Sequence, residues 1–226
     1  MSFTDPTSLS CWITMFIGFA FFYFAKINKE KLFKVLASFC SRNNFVFEET
    51  PEKLVNFRIS GFSNKFKWVI ENIFDAHLTQ ITRHDEYFLR YICHEVSVTD
   101  GFAIMEMHLN DLKNHDKPHD YVIENIYQLF DRDIRKEIDE MDVIPFGSKE
   151  FMDSFVTFTN GQSGFENIAD EDLHHYLLNN YSRKIHSGRF GVLLTRNGIL
   201  IKTPGSNHEE DVNKLFNLSE KLLSKF

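Results

Sequence analysis

Residues 190–202, FGVLLTRNGILIK, consist of two apolar runs separated by Arg196-Asn197-Gly198. Asn-Gly between apolar runs predicts a two-residue β-hairpin with a type I′ turn, because both central residues of that turn must accept positive φ. This hairpin is the clearest local signal in the chain. It indicates that the sheet contains antiparallel neighbours.

Upstream of the hairpin, residues 45–109 show the alternation of apolar and polar side chains that is typical of strands. Strands are predicted over residues 45–47, 55–59, 66–74, 87–98 and 102–109. Turn-forming residues separate several of these segments, for example Asp100-Gly101. Because parallel pairing needs a long crossover, strands this close in sequence predict an antiparallel meander.

Amphipathic helices surround these strands in the sequence. The apolar stripe with helical spacing after residue 26 predicts a helix over 26–43. Its members are Leu32, Phe33, Val35, Leu36, Phe39 and Cys40. Further helices are predicted over 121–136, over 169–181 and from about 208, and short strands over 143–146 and 154–159. The predicted fold class is α+β, with one soluble domain over 28–226 and a possible subdivision near 110–120.

Residues 6–25, PTSLSCWITMFIGFAFFYFA, contain no formal charge and are apolar on every side of a helix. A helix of about 20 residues spans roughly 30 Å, the hydrocarbon thickness of a bilayer. A transmembrane helix is therefore predicted within residues 1–27. A cleaved signal peptide is disfavoured by the lack of a basic start, and a core helix by the length of the run. The residues predicted to contact the membrane are Trp12, Phe16, Gly18, Phe19 and Tyr23.

Basic side chains are distributed unevenly around this run. Lys26, Lys29, Lys31 and Lys34 follow it, and none precedes it. Positive residues stay on the cytoplasmic side, so the sequence predicts a single-pass protein with a cytoplasmic carboxy-terminal domain. Small residues at positions 10, 14 and 18 also suggest close helix packing and self-association, although such spacing arises by chance in many helices.

The composition limits the classes of function. The chain has 226 residues and a formal net charge of −7. An acidic protein lacks the cationic surface that general nucleic-acid binding requires, so no nucleic-acid partner is expected. The three cysteines form no CxxC pair, which is typical of a reducing compartment.

Common catalytic motifs are missing from the sequence, including GxxxxGK[ST], GxGxxG, GxSxG and HExxH. A cluster in the polar stretch after residue 107 could supply metal ligands, as imidazole and carboxylate groups do in zinc sites. Its members are His108, His115, His119 and Asp120. The alternative is a solvated loop in which His and Asp favour turns. No cofactor is expected.

A glycine-containing loop over residues 160–167 is the predicted binding site. Gly161 and Gly164 permit unusual backbone angles, and Phe165 is expected to be presented at a surface. An ordinary connection between two elements is the alternative interpretation.

The layout resembles that of uncharacterised bacterial single-pass membrane proteins of unknown function. The segment KEFMDSFV at 149–156, the helix with Leu173 and Leu177, the strand at 198–201 and the amphipathic last helix carry the resemblance. It implies an amino-terminal anchor on an α+β portion in a bacterial inner membrane. It supplies no catalytic residue.

Three functions are consistent with these observations. The first is a membrane-anchored, cytoplasm-facing module that contacts the lipid bilayer and binds a protein partner or itself, without catalysis. The second is a membrane-tethered, metal-dependent enzyme that uses the region from His108 to Asp120. The third is an immunity-type protein that binds and neutralises a toxin.

Overall fold

The structure is a computed structural model of the chain. It describes residues 6–50, 54–74, 87–107, 129–130, 135–161, 165–182, 190–205 and 208–226. At 6–18, 20–22, 25, 135 and 136 it describes the backbone alone.

Within the described residues, nine strands form one sheet, in which every neighbouring pair is antiparallel. The strands are β1 Val46–Glu49, β2 Val55–Ser63, β3 Phe66–Phe74, β4 Tyr87–Cys93, β5 Phe102–Glu106, β6 Asp142–Ile144, β7 Phe155–Thr159, β8 Gly191–Thr195 and β9 Gly198–Pro204. Their order across the sheet is β1-β2-β3-β4-β9-β8-β5-β7-β6. The predicted meander holds for β1 to β4, but β5 is not the neighbour of β4. The hairpin β8-β9 lies between them.

Turn geometry differs from the prediction at the hairpin. Thr195 pairs with Gly198, so the loop residues are Arg196 and Asn197. Among the described non-glycine residues, φ is positive at Asn44, Asn64 and Lys65 and not at Asn197. The predicted type I′ turn at Asn197-Gly198 is therefore wrong. Within this hairpin loop, only Gly198 has a positive φ, at 125°.

The helices pack mainly on one face of the sheet. They are α1 Pro6–Arg42, α2 Arg135–Asp139, α3 Lys149–Ser154, α4 Glu171–Tyr181 and α5 Glu209–Leu223, with a 3-10 turn at Phe165–Asn167. The last third of α1 buries Phe33, Leu36, Phe39 and Cys40 against strand residues such as Phe57. Helices α4 and α5 bury their apolar faces in the same cluster.

A second, smaller core lies on the other face of the sheet. Met105 of β5 and Phe158 of β7 pack there with Phe130, Ile138 and Met141 from the chain between β5 and β6. The two cores cover both faces of β5, whose five residues are all buried. Residues 110–120, where a subdivision was predicted, lie outside the described residues.

The prediction of an amino-terminal transmembrane helix is wrong. Among the residues that the structure describes, no helix is both long and apolar enough to cross a membrane. The predicted single-pass membrane localisation depended on that helix and is wrong for the same reason. The element itself is a helix, and it is continuous with the helix predicted over 26–43. The whole helix, Pro6–Arg42, has 37 residues. Its second half carries five basic side chains and one acidic side chain. That charged half packs on the sheet through Phe33, Leu36, Phe39 and Cys40.

Candidate functional site

A groove lies between α1 and the edge strand β1. Its volume is about 510 Å³. The lining residues are Lys26, Lys29, Glu30, Phe33, Lys34, Ala37, Phe47 and Glu49. The six from α1 lie on one side of the helix because they recur every three or four residues. Phe47 and Glu49 lie two residues apart, on one face of β1.

The floor of this groove is aromatic and its rim is charged. The rings of Phe33 and Phe47 meet edge to face with their centroids 5.6 Å apart. Lys29 Nζ lies 4.9 Å from the centroid of Phe33 and 3.5 Å from the carboxylate of Glu49. The arrangement can therefore hold an apolar group on its floor and a charged group at its rim.

A row of charged side chains crosses the sheet on the face opposite the main core. Arg58, Glu71, Arg90 and Lys202 are paired in register on four consecutive strands. Both arginines bind the buried Glu71 carboxylate, each with one contact of 2.6 Å. Burial alone raises the pKa of Glu71, but the hydrogen bonds and charges of Arg90 and Arg58 outweigh it and hold the pKa below its ordinary value. Nζ of Lys202 lies over the ring of Phe88, 4.7 Å from its centroid. The row therefore stabilises the sheet and is a weaker candidate for ligand binding.

His174 of α4 occupies an aromatic pocket. Its ring stacks on Phe151 and meets Phe146 edge to face. Asp170 caps the amino terminus of α4 by accepting a hydrogen bond from the Leu173 N–H at 3.0 Å, and it also binds Lys225. These ring contacts leave His174 only 8% exposed, so its role in the structure is packing.

The two described cysteines are buried thiols. Burial raises the pKa of Cys40 to about 11, and the nearby Glu209 adds to the effect. Burial also raises the pKa of Cys93. Nδ1 of the neighbouring His94 lies 3.2 Å from the carbonyl oxygen of Asn197. Because the thiolate is the reactive form, neither cysteine has the properties of a nucleophile.

The predicted site residues have different outcomes. His108, His115, His119, Asp120 and Gly164 lie outside the described residues. No three His, Cys, Asp or Glu side chains within the described ranges are placed to hold a metal ion.

The glycine loop does not display its aromatic residue. Gly161 lies against Asp100, and its N–H donates to Thr159 Oγ1 at 3.2 Å. Phe165 lies in the main core at 4% exposure, with its ring 4.8 Å from that of Phe146.

The residues assigned to a membrane surface are described only in part. Phe19 and Tyr23 are 71% and 65% exposed, and the neighbouring Phe24 is 63% exposed. For Trp12, Phe16 and Gly18 only the helical backbone is described.

Sequence reasoning missed the groove because its residues had another interpretation. Lys26, Lys29 and Lys34 are readily taken as signals of membrane topology. Phe47 is taken as an ordinary strand residue. The available signal was the spacing of lysines on one helix face, just ahead of a short strand with two glutamates.

The comparisons with known proteins bear on the fold alone. No family model and no curated protein matches the sequence. The structure is similar to that of the mycobacterial trehalose monomycolate transport factor A, TtfA, with a TM-score of 0.50. The match covers 86% of this chain and 93% of that chain, at 8% sequence identity. At this identity the likeness indicates a shared arrangement of strands and helices.

Proposed function

We propose that the chain is a protein-binding module without catalysis, and that it associates with a second copy of itself through the amino-terminal half of α1. One observation carries the proposal. Phe19, Tyr23 and Phe24 are large aromatic side chains on this half, and each is more than 60% exposed. Clustered exposed aromatic groups of this kind mark interaction surfaces.

The size of the surface supports a stable contact. At about 150–250 Å² for each buried aromatic side chain, the exposed fractions of these three correspond to roughly 300–500 Å² per copy. A standard interface takes about 800 Å² from each partner. The three described side chains thus supply about half of the area that one partner contributes.

The charge distribution favours a second copy as the partner. Two-fold packing of identical helices places like residues near each other, and like charges would then repel. Residues 6–25 carry no formal charge, so this half of α1 meets its own copy without repulsion.

The test is the mass of the full-length protein in solution, measured by light scattering across a concentration series. The wild type is expected to exceed the 26.6 kDa of one chain. A triple variant, Phe19→Ala, Tyr23→Ala and Phe24→Ala, keeps strong helix formers in α1 and is expected to be monomeric. Phe62→Ala removes an equally exposed aromatic side chain from β2 and is expected to leave the mass unchanged.

Two results would overturn the proposal. One is a wild type that remains at the mass of one chain at every concentration. The other is a triple variant that associates as the wild type does. A monomeric wild type that sediments with phosphatidylcholine vesicles would assign this surface to lipid instead.

A further inference from the structure

β1 lies at the edge of the sheet next to the groove. β1 and β6 are the two edge strands. β1 pairs with β2 on one side, and no other strand in the described part of the chain pairs with it. An edge strand presents a row of unpaired N–H and C=O groups that can accept another strand.

The helix and the strand border the same space over matching lengths. From Lys26 to Ala37, α1 rises about 17 Å at 1.5 Å per residue. The four residues of β1 extend about 13 Å at 3.3 Å per residue. A segment of four or five residues in extended conformation therefore fits along the groove, with its backbone beside β1 and its side chains beside α1.

The groove selects the chemistry of such a segment. Phe33 and Phe47 form an apolar floor for alternate side chains. Lys29 is already engaged with Glu49. Lys26 and Lys34 have no ion-pair partner among the described residues, and Glu30 is the carboxylate that lines the groove between them. The unpaired charges at the rim are thus mainly cationic.

We infer that this groove binds an extended peptide segment, which adds to the sheet as a strand next to β1. Every second side chain of the segment faces α1. Of these, the side chains beside Phe33 and Phe47 are apolar, and those beside Lys26 or Lys34 are acidic. Main-chain hydrogen bonds to β1 supply affinity, and the alternate side chains supply specificity. This site is separate from the exposed aromatic surface formed by Phe19, Tyr23 and Phe24. It does not depend on self-association.

The probe is a displayed library of random octapeptides, selected against the full-length protein. We expect the selected peptides to carry an apolar and an acidic residue two positions apart, on one face of an extended strand. Hydrogen exchange with the best selected peptide is expected to slow exchange at amides of residues 46–49. A ligand that lay in the groove without pairing with β1 would leave those amides unprotected.

Two pairs of variants test the groove itself. Lys34→Glu reverses a charge at the rim and is expected to weaken peptide binding by at least about tenfold. Lys31→Glu makes the same change on α1 outside the groove and is expected to have no effect. Ala37→Arg fills the groove and is expected to abolish binding. Ser38→Arg, which also lies on α1 but does not line the groove, is expected to bind normally.

The inference is overturned if no peptide is enriched over the library, or if enriched peptides bind the Lys34→Glu and Ala37→Arg variants as tightly as the wild type. Protection confined to segments other than β1 would also overturn it. The aromatic triple variant keeps the groove. Peptide binding by this variant therefore tests the groove separately from self-association.

Discussion

The imidazole of His174 stacks on the phenyl ring of Phe151, with the two ring centroids 4.1 Å apart. Nε2 of His174 is buried and has no hydrogen-bond partner among the described residues. Burial lowers the pKa of His174, and the neighbouring His175 acts in the same direction. The carboxylates of Asp170 and Glu171 oppose this shift but do not cancel it. Folding therefore favours the neutral form of His174.

The first prediction concerns stability against pH. Because the pKa of His174 is lower in the folded state, the unfolded chain binds more protons as the pH falls below the ordinary histidine pKa of about 6.5. The stability that neutral His174 contributes is complete above that pH and is lost as the pH falls toward the lowered folded pKa. In thermal melts between pH 7.5 and 5, the fall in Tm with falling pH is expected to be smaller for His174→Phe than for the wild type. His175→Asn, which replaces an exposed neighbour, is expected to retain the wild-type slope. Equal slopes for His174→Phe and the wild type would contradict the assignment.

The second prediction concerns the charged row. Glu71 is buried between Arg58 and Arg90, so neutralising it leaves two guanidinium groups facing each other across the strands. Breaking a buried ion pair costs about 3–5 kcal/mol, and the partial exposure of both arginines places Glu71→Gln near 3 kcal/mol. Urea unfolding measures the difference. Glu140→Gln, at an exposed position just after α2, serves as the control and is expected to change stability by less than about 0.5 kcal/mol. A Glu71→Gln variant as stable as the control would show that the row is not structural.

Much of the sheet could be predicted from alternation alone. The strand over 66–74 was predicted with the observed bounds, and the hairpin strands were placed correctly within a few residues. The position of β5 could not be predicted, because alternation reports which face a side chain occupies and not which strand lies beside it. Insertion of the hairpin between β4 and β5 depends on long-range contacts that no local pattern records.

The candidate site was harder to predict for a related reason. A groove exists only where two elements meet, and α1 and β1 each have an ordinary sequence. The turn chemistry shows the same limit. Asn197-Gly198 has the preferred type I′ sequence, yet the pairing of Thr195 with Gly198 shifts the loop by one residue. Positive φ at both central residues occurs instead at Asn64-Lys65, where the β2-β3 register leaves two residues between Ser63 and Phe66.

The third prediction follows from the hairpin. Gly198 has a φ of 125°, and a Cβ atom there would overlap the carbonyl oxygen of Cys93 in β4. Gly198→Ala therefore combines backbone strain with a clash against main chain that cannot rotate away. We expect a loss of about 2–4 kcal/mol in the free energy of unfolding, measured by urea titration. Arg196→Ala, at an exposed position of the same loop, is the matched control. A Gly198→Ala variant within about 0.5 kcal/mol of the control would contradict this account of the loop.

The fourth prediction tests whether the second half of α1 belongs to the domain core. Leu36 is fully buried against the sheet, whereas Val35, which was predicted to lie on the same apolar stripe, is 47% exposed. Adjacent positions on a helix differ in direction by about 100°, so only one of the two can face the sheet. Leu36→Ala is expected to cost about 2–5 kcal/mol through lost burial and the cavity that remains. Val35→Ala removes apolar atoms from the same turn and is expected to cost less than about 1 kcal/mol, because those atoms are already in solvent. If urea unfolding gave equal losses for the two variants, α1 would not pack as described. The groove that α1 forms with β1 would then lose its structural basis.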